Sequence, residues 1–195
     1  MLSDWLRSKT DWFIIPFIRL LARAGISPNV LTFIGFLLNA IVAWLVAIGQ
    51  QRLGGVLFIF AGLCDSLDGT LAREMATTSR FGAFFDSVLD RYSEGIIFFG
   101  LLLSAFKRGD LTELILIYAA IIGSIIVSYT RARAEGIGVE CKSGLFTRFE
   151  RFLILMAGLV LGQLRLALWI LAVFANFTAL QRIYHVWRAT RRGKD

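Results

Sequence analysis

Apolar residues in this chain do not keep to one face of a 3.6-residue period. They fill whole stretches, and short charged segments separate one stretch from the next. Six stretches stand out, over residues 29–48, 53–73, 81–104, 111–134, 149–162 and 164–187. A helix rises 1.5 Å per residue, so about 20 residues cross the roughly 30 Å of a hydrocarbon core. The pattern predicts an all-α integral membrane protein with six transmembrane helices. Ser27-Pro28 offers a cap and a first helical residue for the first span. The fifth stretch is short, and Gly162-Gln163-Leu164-Arg165 divides it from the sixth. Ahead of the spans, residues 4–24 mix Trp5, Trp12, Phe13, Phe17 and Leu20 with Arg7, Lys9, Arg19 and Arg23. That mixture suits an interfacial amphipathic helix in a juxtamembrane segment, residues 1–26, which Pro16 kinks or restarts. With no repeat, linker or low-complexity tract, residues 1–195 read as one domain.

Composition agrees with the pattern. Of the 195 residues, 57% are hydrophobic, and the mean hydropathy is +0.70; a soluble domain is about 45–50% apolar. The opening MLSDWLRSKTDWF lacks the clean apolar core and small-residue cleavage site of a secretory signal. The net charge of +7 fits cytoplasmic loops over anionic lipid, and no nucleic-acid motif appears. In the six-span plan Arg73, Arg80, Arg131, Arg133, Lys142, Arg148 and Arg151 fall on the same side as the basic N-terminal segment and the tail residues Arg188, Arg191, Arg192 and Lys194. Arg52, Lys107, Arg108 and Arg165 fall on the other. Positive-inside then puts both termini in the cytoplasm. Cys64 and Cys141 make no disulfide framework. His185 reads as structural, and Trp44, Trp169 and Trp187 as interfacial belt residues.

Four aspartates break the apolar pattern. Asp65 and Asp68 are three apart and share a helix face; Asp86 and Asp90, four apart, do likewise. If the chain folds back near Thr77, Asp68 is nine residues before the turn and Asp86 nine after it. Asp65 and Asp90 match in the same way, so all four sit about 14–20 Å along the helices from the turn. Carboxylates gathered at one level repel unless cations intervene. Oxygen-only ligation points to a hard ion, Mg²⁺ or Mn²⁺, and four carboxylates suffice for two such ions on phosphate oxygens. Gly69, Ala72 and Gly82 leave bare backbone beside them, where a ligand or another helix can approach closely.

The set Asp65-x2-Asp68-Gly69-x2-Ala72-Arg73-x8-Gly82-x3-Asp86-x3-Asp90 resembles the signature of the CDP-alcohol phosphotransferases, with all positions filled at the family's spacing. The resemblance implies a membrane enzyme in which a CDP-linked lipid binds, an alcohol attacks the lipid-side phosphorus, and CMP leaves. It implies Asp65, Asp68, Asp86 and Asp90 as ligands of two divalent ions, with Asp90 also the general base. Asp68, Gly69, Ala72, Arg73 and Gly82 would bind the CDP lipid. It also suggests a homodimer.

The acceptor is read from smaller signals. Phe85-Asp86-Ser87-Val88-Leu89-Asp90-Arg91 and the stretch Ser128 to Glu135 are similar to those of phosphatidylinositol-phosphate and archaetidylinositol-phosphate synthases, as are Glu150-Arg151 and Gln181-Arg182. Arg131, Arg151 and Arg182, with Ser128, are therefore candidates to bind the phosphate of inositol 1-phosphate, since guanidinium groups grip phosphate bidentately. Residues 139–147 match those enzymes only loosely, which keeps glycerol 3-phosphate as the alternative acceptor. A membrane transporter with a carboxylate ion site is the rival class; it would show repeats and broken helices in two halves, and neither is visible.

Overall fold

The computed structural model describes residues 18–75, 77–141 and 144–192. Each of the six apolar stretches forms one helix: α1 (Pro28–Ala47), α2 (Gln51–Glu74), α3 (Arg80–Arg108), α4 (Leu111–Glu135), α5 (Arg148–Leu161) and α6 (Leu164–Arg192). Among the described residues there is no strand. α3 and α6 continue past the apolar runs that predict them, because charged residues remain good helix formers. Lys107 and Arg108 occupy the last turn of α3, where cations complement the free carbonyls.

Among the described residues four helices, α1, α2, α4 and α6, are long and apolar enough to cross a membrane. α3 has the length, but its first half carries Asp86, Asp90, Arg91 and Glu94. α5 has 14 residues, about 21 Å of helix. The interfacial helix expected over residues 4–24 is described only at its end, where residues 18–23 are helical. Pro16 and the tryptophans before it lie outside the described residues, as do Lys142 and Lys194.

α1 shows how these helices distribute their side chains. Phe33, Leu37, Ile41 and Trp44 recur every three or four residues and are all 46–60% exposed. Val42 and Val46 are fully buried on the other side. An apolar stripe of this length facing outward suits acyl chains rather than water.

The helices divide into two compact units. The first comprises the described residues up to Ala40 together with Leu57–Glu94. Its core is Ile18, Leu31 and Leu71, with Leu21, Cys64, Leu67 and Met75 packed on them. Arg19 bonds Glu74 at 3.2 Å and ties the helical residues 18–23 to the end of α2.

The second unit comprises Ile41–Val56 and the chain from Gly95 onward. Here α6 packs on α4 and on α5. At Gly123 an added Cβ would lie 2.8 Å from Asn176 Nδ2, and that amide donates to Ala119 O at 2.9 Å. At one end of this unit the short connections interlock. Lys107 Nζ donates to Ala47 O at 3.1 Å. Arg108 and Arg165 both bind the nearly buried Glu113, and Arg165 also binds Asp110. Asp110 caps α4 through Glu113 N–H at 3.0 Å. That hydrogen bond, with Arg165, holds its carboxyl below the ordinary carboxylate value.

Two glycines of α3 make a matched test. A Cβ on Gly100 would strike the backbone of Ala43, whereas one on Gly95 meets nothing within 4 Å. Gly100→Ala is expected to destabilise the protein by about 1–3 kcal/mol through overpacking against backbone that cannot yield. Gly95→Ala is expected to be neutral or to stabilise by up to about 1 kcal/mol through helix propensity. Thermal unfolding in detergent checks both.

Candidate metal centre and arginine cluster

Residues 75–79 connect α2 to α3, and Ser79 opens α3 by accepting the Gly82 N–H at 2.9 Å. The return brings the acidic faces together. Carboxylate oxygens of Asp65, Asp68 and Asp86 all lie within 4.8 Å of one another. Asp68 is only 6% exposed, and Asp65 and Asp86 are half-buried. Asp90, one helical turn beyond Asp86, stands outside this triad. It lies 3.9 Å from Arg91, which also approaches Glu94 at 3.7 Å.

Three carboxylates at this separation inside an apolar assembly need positive charge among them. The donor set is oxygen only; His185, the chain's one histidine, bonds Glu140 O at 3.1 Å instead. These donors fit a hard divalent ion such as Mg²⁺ or Mn²⁺.

The small residues divide into two kinds. A Cβ on Gly69 would meet only Arg73 Nη1, 3.8 Å away, so open space borders that backbone. A Cβ on Gly82 would come within 3.0 Å of Ser79 Oγ and 3.3 Å of Asn29 Oδ1, so the chain's own atoms use that gap. Ala72 is half-buried, and the exposed Arg73 donates to Thr70 Oγ1 at 3.0 Å.

The arginine candidates belong to the second unit. Arg182 is 4% exposed and donates to Val127 O at 2.5 Å. Arg151 is 3% exposed, with Nη1 3.4 Å from Phe146 O. Arg131 is exposed and pairs with Glu135 at 2.9 Å, one turn on. Arg131, Arg151 and Glu135 all lie near enough to act electrostatically on Arg182. Ser128 Oγ donates to Ser124 O at 3.1 Å.

A loop closes on Arg182. Phe146 N–H donates to Thr178 Oγ1 at 3.1 Å, and Leu145 N–H to Gln181 Oε1 at 3.4 Å. Gly144 has φ 140°, and a Cβ there would lie 2.8 Å from Thr178 Cγ2 and 3.2 Å from Arg182 Nε. Glycine is needed for both the dihedral and the contact. Glu150 accepts the Thr147 N–H at 2.9 Å as half of a capping box for α5. Thus Glu150 and Gln181 have local structural tasks beside the buried arginines.

The family model for CDP-alcohol phosphatidyltransferase matches residues 25–181. The chain belongs to this family. Among similar proteins, the archaetidylinositol phosphate synthase of Pyrococcus horikoshii is 35% identical over 174 residues, covering 89% of this chain and 90% of that one. The phosphatidylinositol phosphate synthase of Mycobacterium tuberculosis, solved with CDP-DAG bound, matches with a TM-score of 0.84 at 34% identity, over 89% of this chain and 93% of that one. Its complex with manganese and citrate matches with a TM-score of 0.82 at 32% identity, over 89% and 88% of the two chains.

Sequence reasoning passes over several residues at these sites. Thr32 donates to Asp68 Oδ2 at 2.7 Å from 36 positions away, and Asn29, Gly144 and Thr178 are likewise far in sequence from what they approach. The positive φ of Gly144 has no signature in a loop that also holds Lys142 and Ser143.

Divalent binding at the carboxylates is checked by thermal unfolding in detergent. Mn²⁺ is expected to raise the unfolding temperature of the wild type, EDTA to reverse this, and Asp65→Asn or Asp86→Asn to remove the Mn²⁺ effect.

Proposed function

We propose that this CDP-alcohol phosphatidyltransferase transfers a phosphatidyl-type group from a CDP-linked lipid to the hydroxyl of inositol 1-phosphate, releasing CMP. The observation that carries this reading is the carboxylate triad within 4.8 Å, in a chain whose family model spans residues 25–181. Relatives named as archaetidylinositol and phosphatidylinositol phosphate synthases support the inositol-phosphate acceptor. So does a cluster of guanidinium groups beyond what topology requires.

Asp65, Asp68 and Asp86 would hold Mg²⁺ or Mn²⁺, with Asp90 completing a two-ion site. When bound, such ions neutralise and polarise the diphosphate oxygens. Asp68, Gly69 and Ala72 border the nucleotide, and the open space at Gly69 gives it room. Arg73 binds its polar end, and Gly82 keeps the start of α3 close. Arg131, Arg151, Arg182 and Ser128 hold the acceptor phosphate, with the buried pair fixed by backbone carbonyls and free of the entropy cost of long exposed side chains. Asp90 takes the proton of the acceptor hydroxyl. The oxygen then bonds to the lipid-side phosphorus, the bond from that phosphorus to the CMP oxygen breaks, and CMP departs with the electron pair.

In the bilayer, α3 and α5 complete six crossings. The Lys and Arg distribution directs both termini and the carboxylate site to the cytoplasmic side.

CMP release across inositol 1-phosphate, glycerol 3-phosphate and free inositol, with and without a divalent ion, tests the assignment. Fast, ion-dependent release is expected with inositol 1-phosphate, and a preference for another alcohol would replace it. Asp90→Asn is expected to lower the transfer rate by about 10²–10⁴-fold while CDP-lipid binding survives. Arg182→Ala is expected to raise the KM for the acceptor more than that for the CDP lipid; equal changes would remove Arg182 from the phosphate clamp.

A further inference from the structure

The Thr32 side chain lies on α1, outside the run of residues that carries the aspartates. Its hydroxyl is 2.7 Å from Asp68 Oδ2 and 3.1 Å from Pro28 O. A hydroxyl has one proton to donate, and the shorter, charge-assisted partner is the carboxylate. Both residues are buried, Thr32 at 9% and Asp68 at 6% exposure. Water therefore cannot easily replace this donor.

The contact follows from helix packing. Gly35, three residues after Thr32, faces α2: a Cβ there would lie 3.6 Å from Cys64 Cβ and 3.8 Å from Ala61 O. Thr32 opposite Asp68 and Gly35 opposite Cys64 and Ala61 define an antiparallel register. Even an added Cβ at Gly35 would make only ordinary contact, so α1 lies beside α2 at a distance from which a short side chain like threonine reaches the carboxylate.

We propose that Thr32 is a positioning residue for the metal centre: its hydroxyl fixes the rotation of the Asp68 carboxylate and so presents the remaining oxygen lone pairs to a divalent ion shared with Asp65 and Asp86. This rests on the reading of the triad as a metal site. A carboxylate held by one hydrogen bond loses less rotational freedom on binding an ion. Such supporting bonds commonly change metal affinity by about 10–100-fold.

Mn²⁺ binding to the full-length protein in detergent, followed by the electron paramagnetic resonance of the free ion, tests this without substrate. Thr32→Val keeps the shape and loses the donor; its Mn²⁺ dissociation constant is expected to rise about 10–100-fold. Thr32→Ser keeps the donor and is expected to bind within a few-fold of wild type. Thr32→Ala carries the same expectation as valine and serves if the valine variant does not fold. Wild-type affinity in Thr32→Val or Thr32→Ala overturns the proposal. So does a serine variant that binds as weakly as valine, or a fall in unfolding temperature in EDTA with no change in Mn²⁺ affinity. If the wild type itself binds no Mn²⁺, the metal reading of the triad fails with it, whereas a binding wild type with an unaffected valine variant removes only the role of Thr32.

Discussion

Carboxylates do not stay ionised in an apolar assembly without a compensating positive charge, and the first unit is organised around that constraint. Three aspartates from two successive helices lie with oxygens within 4.8 Å of one another. Each surrounding feature serves their approach. The short 75–79 connection lets α3 return along α2, Ser79 caps the returning helix, and Gly82 admits it beside Asn29. Thr32 fills one acceptor site of Asp68 from a third helix. Open space borders the backbone of Gly69, the residue after Asp68.

The second unit handles charge of the opposite sign by different means. Arg151 and Arg182 are almost fully buried, and backbone carbonyls of Phe146 and Val127 meet their guanidinium groups. Each of these carbonyl dipoles accepts one of the guanidinium donors. Arg131 instead pairs on the surface with Glu135, where the pair is exposed and screened. At the end where Lys107, Arg108 and Arg165 lie, the basic residues are instead consumed by Ala47 O, Asp110 and Glu113. Their task is to lock the connections between helices.

The helices and the carboxylate triad were largely legible in the sequence, for one reason. Apolar runs report helices when the solvent is lipid, and residues counted outward from a single tight turn return to one level whatever else the chain does. Asp65, Asp68 and Asp86 needed only that turn. Asp90 lies a further helical turn along α3, 3.9 Å from Arg91. Residues 149–162 and 81–104 read as spans in the sequence and form helices, but a short length and a charged first half set them apart from the four helices long and apolar enough to cross a membrane.

By itself, then, the sequence determined which segments are helical, that they belong in a bilayer, and that the acidic residues of two successive helices return to one level, of which Asp65, Asp68 and Asp86 meet. These properties depend on local composition and on counting across one connection. The tertiary structure alone decided that Thr32 serves Asp68, that Gly144 must be glycine, and that Gly82 meets the protein's own atoms while Gly69 faces open space. Each of these depends on how closely two helices, or a loop and a helix, approach. Inter-helix distance is set by packing among residues far apart in the chain, and no periodicity in the sequence records it.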